Sequence, residues 1–90
     1  MHKDIKRIIY APDFERALLR YRNNRIFIRK IGGQVDKILR EPATGKPLRY
    51  TFKNRRRTHV GSFVLVYEFY NGDLRFLDFD HHDKIYKKWS

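Results

Sequence analysis

Arg55, Arg57 and His59 occupy alternate positions in one short stretch, and His81 and Tyr86 follow further down the chain. An imidazole titrates near neutrality when nothing perturbs it, so His59 and His81 can act as base and acid at physiological pH. Guanidinium groups can hold the negative charge that builds on a phosphorane. The Tyr86 phenol can donate a proton or lie flat against a base. Lys46, Lys53 and Arg56 add cations close to this set in sequence. Cleavage of RNA through its own 2′-hydroxyl requires such groups: a base at the hydroxyl, cations around the phosphorus, and an acid at the leaving oxygen. Plainer uses of the same residues weigh against this chemistry. An Arg-Arg-Arg run more often positions phosphates or faces solvent than takes part in catalysis, and a strand histidine can simply be exposed. His81-His82 does not read as a metal site, because strand neighbours point to opposite faces and no further ligands complete a set.

Chemistry at Arg57, His59 and His81 depends on a β-meander that places them together. From Thr51 to Phe69 the chain reads TFKNRRRTHVGSFVLVYEF. Phe63, Leu65, Tyr67 and Phe69 share one parity and Val64, Val66 and Glu68 the other, the period of a strand buried on most of both faces. Gly61-Ser62 suits a two-residue II′ turn and Asn71-Gly72 a type I′ turn, so strands are predicted from Arg55 to Val60, Phe63 to Phe69 and Leu74 to His81. In that register Val60 faces Phe63, His59 faces Val64, Arg57 faces Val66 and Arg55 faces Glu68. Across the second turn, Glu68 faces Arg75, Val66 faces Leu77, Val64 faces Phe79 and Ser62 faces His81. One sheet face then carries Thr58, Val60, Phe63, Leu65, Tyr67, Phe69, Leu74 and Phe76 as core. The other carries Arg55, Arg57, His59, Val64, Val66, Glu68, Arg75, Leu77, Phe79 and His81, with cations and imidazoles around an apolar floor. A slip of one residue would exchange the two faces.

Ahead of the meander, Asp4 to Tyr10 (DIKRIIY) reads as a first strand, stopped by Ala11-Pro12. Pro12 suits the first turn of a helix, with Asp13 and Glu15 at the positive end of its dipole and Phe14, Leu18 and Tyr21 on one side. Asn23-Asn24 breaks and re-caps the chain. A second helix from Arg25 to about Arg40 buries Phe27, Ile31, Val35 and Ile38 or Leu39. A kink or break is expected at Gly32-Gly33, since each mid-helix glycine costs about 1 kcal/mol against alanine. Glu41-Pro42 ends this helix, and PATGKP is a loop. The reading reaches one α+β domain over residues 1–90. Its order is β-α-α-β-β-β, with a helical hairpin packed on one face of a small, mainly antiparallel sheet.

Composition narrows the partners. The 90 residues carry 21 Lys plus Arg against 10 Asp plus Glu, a formal charge of +11, which suits a polyanion such as nucleic acid or an acidic protein. An apolar content of 41% argues against disorder. No cysteine is present, which excludes disulfides and thiolate metal sites. No apolar run is long enough for a bilayer and no signal-peptide core stands at the N-terminus, so a cytoplasmic protein without membrane or small-molecule cofactor is expected.

Three places resemble the RelE/ParE superfamily of toxins from type II toxin-antitoxin pairs. Strand-Ala11-Pro12-Asp13-Phe14 is like the family's strand followed by Ser-Pro-x-Phe. Gly45-Lys46-Pro47-Leu48 follows the helical hairpin. His59-Val60-Gly61-Ser62-Phe63-Val64-Leu65-Val66-Tyr67-Glu68, continuing to His81-His82-Asp83-Lys84-Ile85-Tyr86, looks like the family's Arg-Val-Gly-Asp-Tyr-Arg-Val-Ile-Tyr strand and its closing His-Arg-x-x-x-Tyr. The resemblance implies a RelE-like fold and a ribosome-dependent endoribonuclease that cuts mRNA in the ribosomal A site and is silenced by an acidic antitoxin. The chemistry of the residues assigns catalytic roles to Arg57, His59, His81 and Tyr86, to which the family's closing motif adds His82, and RNA contacts to Lys46, Lys53, Arg55 and Arg56. Val64 and His82 stand where the family usually has arginine, which implies weakened cleavage that Val64→Arg would raise. The ParE branch, which poisons gyrase without cutting RNA, implies the alternative of a non-catalytic binder of gyrase or nucleic acid, or an inactive relative.

Overall fold

In the computed structural model, which describes residues 5–47 and 54–89, the chain runs β1 (Arg7–Tyr10), α1 (Pro12–Arg20), α2 (Arg25–Arg40), β2 (Lys46–Pro47), β3 (Arg55–Val60), β4 (Phe63–Tyr70), β5 (Asp73–His81) and α3 (His82–Lys88). The strands form one five-stranded sheet in the order β1-β5-β4-β3-β2. β1 lies parallel to β5, and the other pairs are antiparallel.

Local chemistry sets the boundaries of the helical hairpin. Pro12 opens α1, with Asp13 and Glu15 in its first turn and Arg20 in its last. Asn24 caps α2 by accepting the Phe27 N–H at 3.1 Å. The expected break at Gly32-Gly33 is absent: α2 continues through both glycines to Arg40. Burial of Phe27, Ile31 and Ile38 against the sheet outweighs the propensity cost of two exposed glycines.

The hairpin covers one sheet face. Phe14, Ala17, Phe27, Ile31 and Ile38 pack there on Val60, Leu65, Tyr67, Leu74, Phe76 and Phe79. The other face is covered as well. Val64 and Val66 are fully buried beneath Ile85 of α3, with Leu77 and Trp89 alongside. This third helix and the short β2 are additions to the order read from the sequence.

Both predicted turns form. Asn71 and Gly72 have φ of 51° and 85°, as a type I′ turn requires, and Gly61 has φ of 62°. The β3–β4 register agrees with the sequence reading from Arg55↔Glu68 to Val60↔Phe63. Along β4–β5 it agrees at Glu68↔Arg75 and then shifts between Val66 and Tyr67. The predicted pairs of Val66 with Leu77, Val64 with Phe79 and Ser62 with His81 are replaced by Val66↔Asp78, Val64↔Asp80 and Phe63↔His81. Leu77 is the extra residue of a β-bulge. Without it Phe79 would face away from the hairpin, and Asp78 and Asp80 would enter the apolar core. With it Phe79 meets Phe14 edge to face at 5.2 Å, and the carboxylates reach cationic partners.

A buried phenol fixes the approach to β2. Tyr67 Oη donates to the Pro42 carbonyl at 2.7 Å and accepts the Gly45 N–H at 2.8 Å. A Cβ on Gly45 would lie 2.7 Å from the Arg57 carbonyl oxygen, so only glycine fits this crossing. Tyr67→Phe would leave two buried backbone groups unpaired and is expected to cost about 1–3 kcal/mol. The shift in chemical-denaturation midpoint measures it, and an unchanged midpoint would mean that water replaces the hydroxyl.

Candidate active site

Strand pairing, more than loop geometry, assembles the cationic face. Lys46 of β2 pairs with Arg57 of β3, and Arg57 pairs with Val66 of β4. His59 pairs with Val64 one pleat away. Cross-strand partners share a face, so Lys46, Arg57 and His59 lie on the side that α3 covers. That helix brings Tyr86 to them. The Tyr86 hydroxyl lies 3.3 Å from His59 Nε2, and the Arg57 guanidinium lies 5.7 Å from the Tyr86 ring centroid. Arg57 also donates to the Pro47 carbonyl at 3.2 Å, while its buried Nε finds no hydrogen-bond partner among the described residues. His82 opens α3 with its ring 6.4 Å from that of Tyr86 and its Nδ1 3.0 Å from Asp83.

The remaining predicted site residues divide. Arg55 is on the same face, 3.6 Å from Glu68 and stacked 5.1 Å over Trp89. Glu68 also meets Arg75 at 4.0 Å, so the Arg55–Arg75 end of the face is partly neutralised. Arg56 points to the hairpin side and donates to the Gly45 carbonyl at 2.6 Å. Lys53 lies outside the described residues. His81 does not join His59, as the sequence register had it. The bulge turns it to the other face, edge-on to Phe63 at 6.0 Å, where Nδ1 caps α3 by accepting the Asp83 N–H at 3.4 Å. His81, His82 and Asp83 offer three potential metal-ligand atoms within 4.8 Å of one another, because His82 begins a helix and no longer diverges from His81. Three donors, of which only Asp83 is exposed, are one fewer than a closed zinc site uses, and a helix N-terminus opposes a cation.

The groups missing from the sequence reading are Asp80, which binds the end of the helical hairpin, and Asp78, Lys88 and Trp89, which hold α3. A signal for the helix was present. Asp83 near its start and Lys87 and Lys88 at its end suit the helix dipole. Asp80, nearly buried at the open edge of β5, accepts the Tyr21 hydroxyl at 2.7 Å, Arg20 at 2.9 Å and the His81 N–H at 2.8 Å. Burial pushes its carboxyl up, but the bonds from Tyr21 and the His81 N–H, with the charges of Lys84 and Arg20, hold it below the usual carboxylate value. A carboxyl lowered in the folded state contributes stability above its unfolded pKa of about 3.9, and loses it as pH falls through the folded value. The stability gap between the protein and Asp80→Asn is therefore expected to be full at neutral pH and to close in acid. Denaturation midpoints from pH 7 to pH 3 test this, and a gap independent of pH would show that Asp80 acts through shape alone.

A helical hairpin over a five-stranded mixed sheet, with cations and proton-transfer groups gathered on the far face, defines a RelE-like α+β domain. The family model described as ParE toxin of type II toxin-antitoxin system, parDE, matches residues 8–86. The chain belongs to this family of the RelE/ParE superfamily. A relative named Putative toxin RelE4, from Methanocaldococcus jannaschii, is 41% identical over 58 residues. The match takes in 61% of this chain and 62% of that protein, less than two thirds of its length. The crystal structure of YafQ from E. coli strain BL21(DE3) superposes with a TM-score of 0.74 at 16% identity, covering 88% of this chain and 96% of that one. A histidine-to-glutamine mutant of E. coli YafQ gives 0.69 at 19% identity over the same shares. At these identities the likeness shows the fold. Among the described residues no helix is long and apolar enough to cross a membrane.

Proposed function

We propose that this toxin is an endoribonuclease acting on ribosome-bound mRNA, with Arg57, His59 and Tyr86 as its reacting group. The observation that carries this reading is the 3.3 Å contact between His59 Nε2 and the Tyr86 hydroxyl, beside the Arg57 guanidinium. His59 takes the 2′-hydroxyl proton as the 2′-oxygen attacks phosphorus. The bond to the 5′-oxygen breaks, that oxygen takes the Tyr86 proton, and a 2′,3′-cyclic phosphate remains. Proton return from the His59 imidazolium to the Tyr86 phenolate restores both groups. Arg57 and Lys46 hold the charge on the phosphorane, and His82 adds a contact to the strand. The acidic antitoxin silences the toxin by covering this cationic face, where complementary charge speeds association.

One observation favours a second reading. Val64, at the position where the family usually has arginine, is fully buried beneath Ile85. A site without that cation suits a non-catalytic, ParE-like binder. Cleavage in a purified translation mixture, mapped by primer extension, separates the two. Cuts made by the protein and lost with Tyr86→Phe support the nuclease, and no cut even at high concentration supports the binder.

On the nuclease reading, ribosome capture is expected to be electrostatic, given the charge of +11. Affinity should fall steeply with salt, and Lys46→Ala with Arg57→Ala should flatten the log–log slope by about one unit per lost phosphate contact. Equal affinity at low and high salt would overturn this.

A further inference from the structure

We infer that Asp78 is a positioning residue: through Lys88 and Trp89 it fixes the C-terminal end of α3 and so holds Tyr86 within reach of His59. The inference rests on the reading of His59 and Tyr86 as the reacting pair. α3 has 7 residues, among which Ile85 is the buried one. A helix so short does not hold itself in water, so its docking must come from tertiary contacts. Ile85 supplies the apolar contact in mid-helix, and a buried carboxylate anchors the end.

Asp78 is 4% exposed and sits just after the bulge, turned to the α3 side by the extra residue Leu77. Its Oδ2 receives the Lys88 ammonium at 2.9 Å and the Trp89 indole N–H at 3.3 Å. The same ammonium donates to Asp13 of α1 at 2.8 Å, so one side chain ties α3 to β5 and to the helical hairpin. Burial works to lower the Lys88 pKa, but its bonds to Asp13 and Asp78 outweigh that and raise it, so the clasp stays charged. Tyr86 lies within one turn of both clasped residues. Releasing Lys88 and Trp89 therefore frees the turn that carries its ring, whereas the β3 residues Arg57 and His59 stay in the sheet. Loss of the Asp78 charge leaves Lys88 paired with Asp13 of α1 alone, so the C-terminal end of α3 is no longer tied to β5.

Trp89 is the only tryptophan in the chain, so its fluorescence reports the dock directly. Asp78→Asn keeps the side-chain size and removes the charge. Its Trp89 emission is expected to move to the red and open to acrylamide quenching, with far-UV circular dichroism of the sheet retained. The His59 ring resonance should shift as it does in Tyr86→Phe, and cleavage should fall between about ten- and a hundredfold. Asp78→Glu, which retains the carboxylate, should recover part of each signal. If Asp78→Asn does not fold, Lys88→Met breaks the same clasp from the half-exposed side and is expected to give the same signature. Unchanged emission and an unmoved His59 resonance in both variants would overturn the inference. Variants that show these shifts, from a parent that cuts no RNA, would instead overturn the nuclease reading and leave the role of Asp78 standing.

Discussion

Val64→Arg is expected to destabilise the fold by about 3–5 kcal/mol and to lift α3 from the sheet, without adding a catalytic cation. The resemblance to the family implies the reverse, a restored arginine and faster cleavage. The packing decides against that. Val64 is fully buried, with Val66, Leu77, Ile85 and Trp89 around it. Its cross-strand neighbour Asp80 is already bonded to Tyr21, Arg20 and the His81 N–H. A guanidinium at this position would enter an apolar space that Ile85 fills. Either the charge stays buried and poorly paired, or the helix leaves and exposes two valines. A domain of this size has roughly 5–15 kcal/mol of stability in all, so either outcome is readily measured. Denaturant midpoints and Trp89 emission read it together. A variant as stable as the parent, and faster at cutting, would mean that α3 opens without resistance.

The difference between these expectations shows what the sequence makes legible. Turn chemistry is local, so Gly61-Ser62 and Asn71-Gly72 could be read from residue types, and with them every β3–β4 pair. The hairpin was readable because Phe14, Leu18 and Tyr21 in one segment, and Phe27, Ile31, Val35 and Ile38 in the next, repeat at helical spacing. The bulge at Leu77 was not readable. It answers a contest between burying Phe79 and keeping Asp78 and Asp80 out of the core, and that contest exists only once the hairpin covers one face. The same event removed His81 from the predicted site. Tyr86 was grouped with His59 and Arg57 from residue type, yet the helix that brings it beside them was missed. A helix of 7 residues, carrying Ile85 and a clasped Lys88, delivers it. Arg56 was read as an RNA contact; strand alternation places it on the hairpin side, where it donates to the Gly45 carbonyl.

The largest effect on activity is expected from Arg57→Ala, which should lower cleavage of ribosome-bound mRNA by about a hundredfold or more. Arg57 pairs across the sheet with Lys46, stacks near Tyr86, and keeps a buried Nε–H without a partner among the described residues. It is therefore the fixed guanidinium nearest the proposed acid–base pair, on a face where Val64 supplies no charge. Arg57→Lys should recover little, because an ammonium has neither the planar stack nor the forked donors. His59→Gln and Tyr86→Phe should each lower the rate strongly, and the double variant should be little worse than either, since the two groups pass one proton between them. His81→Asn provides the contrast. Asparagine is a good helix cap, so it keeps the structural duty that the fold gives His81. Cleavage within a few-fold of the parent is expected for it. Single-turnover rates on programmed ribosomes test the whole set. A large loss in His81→Asn with α3 still docked would return His81 to the site, and full activity in Arg57→Ala would remove Arg57 from it.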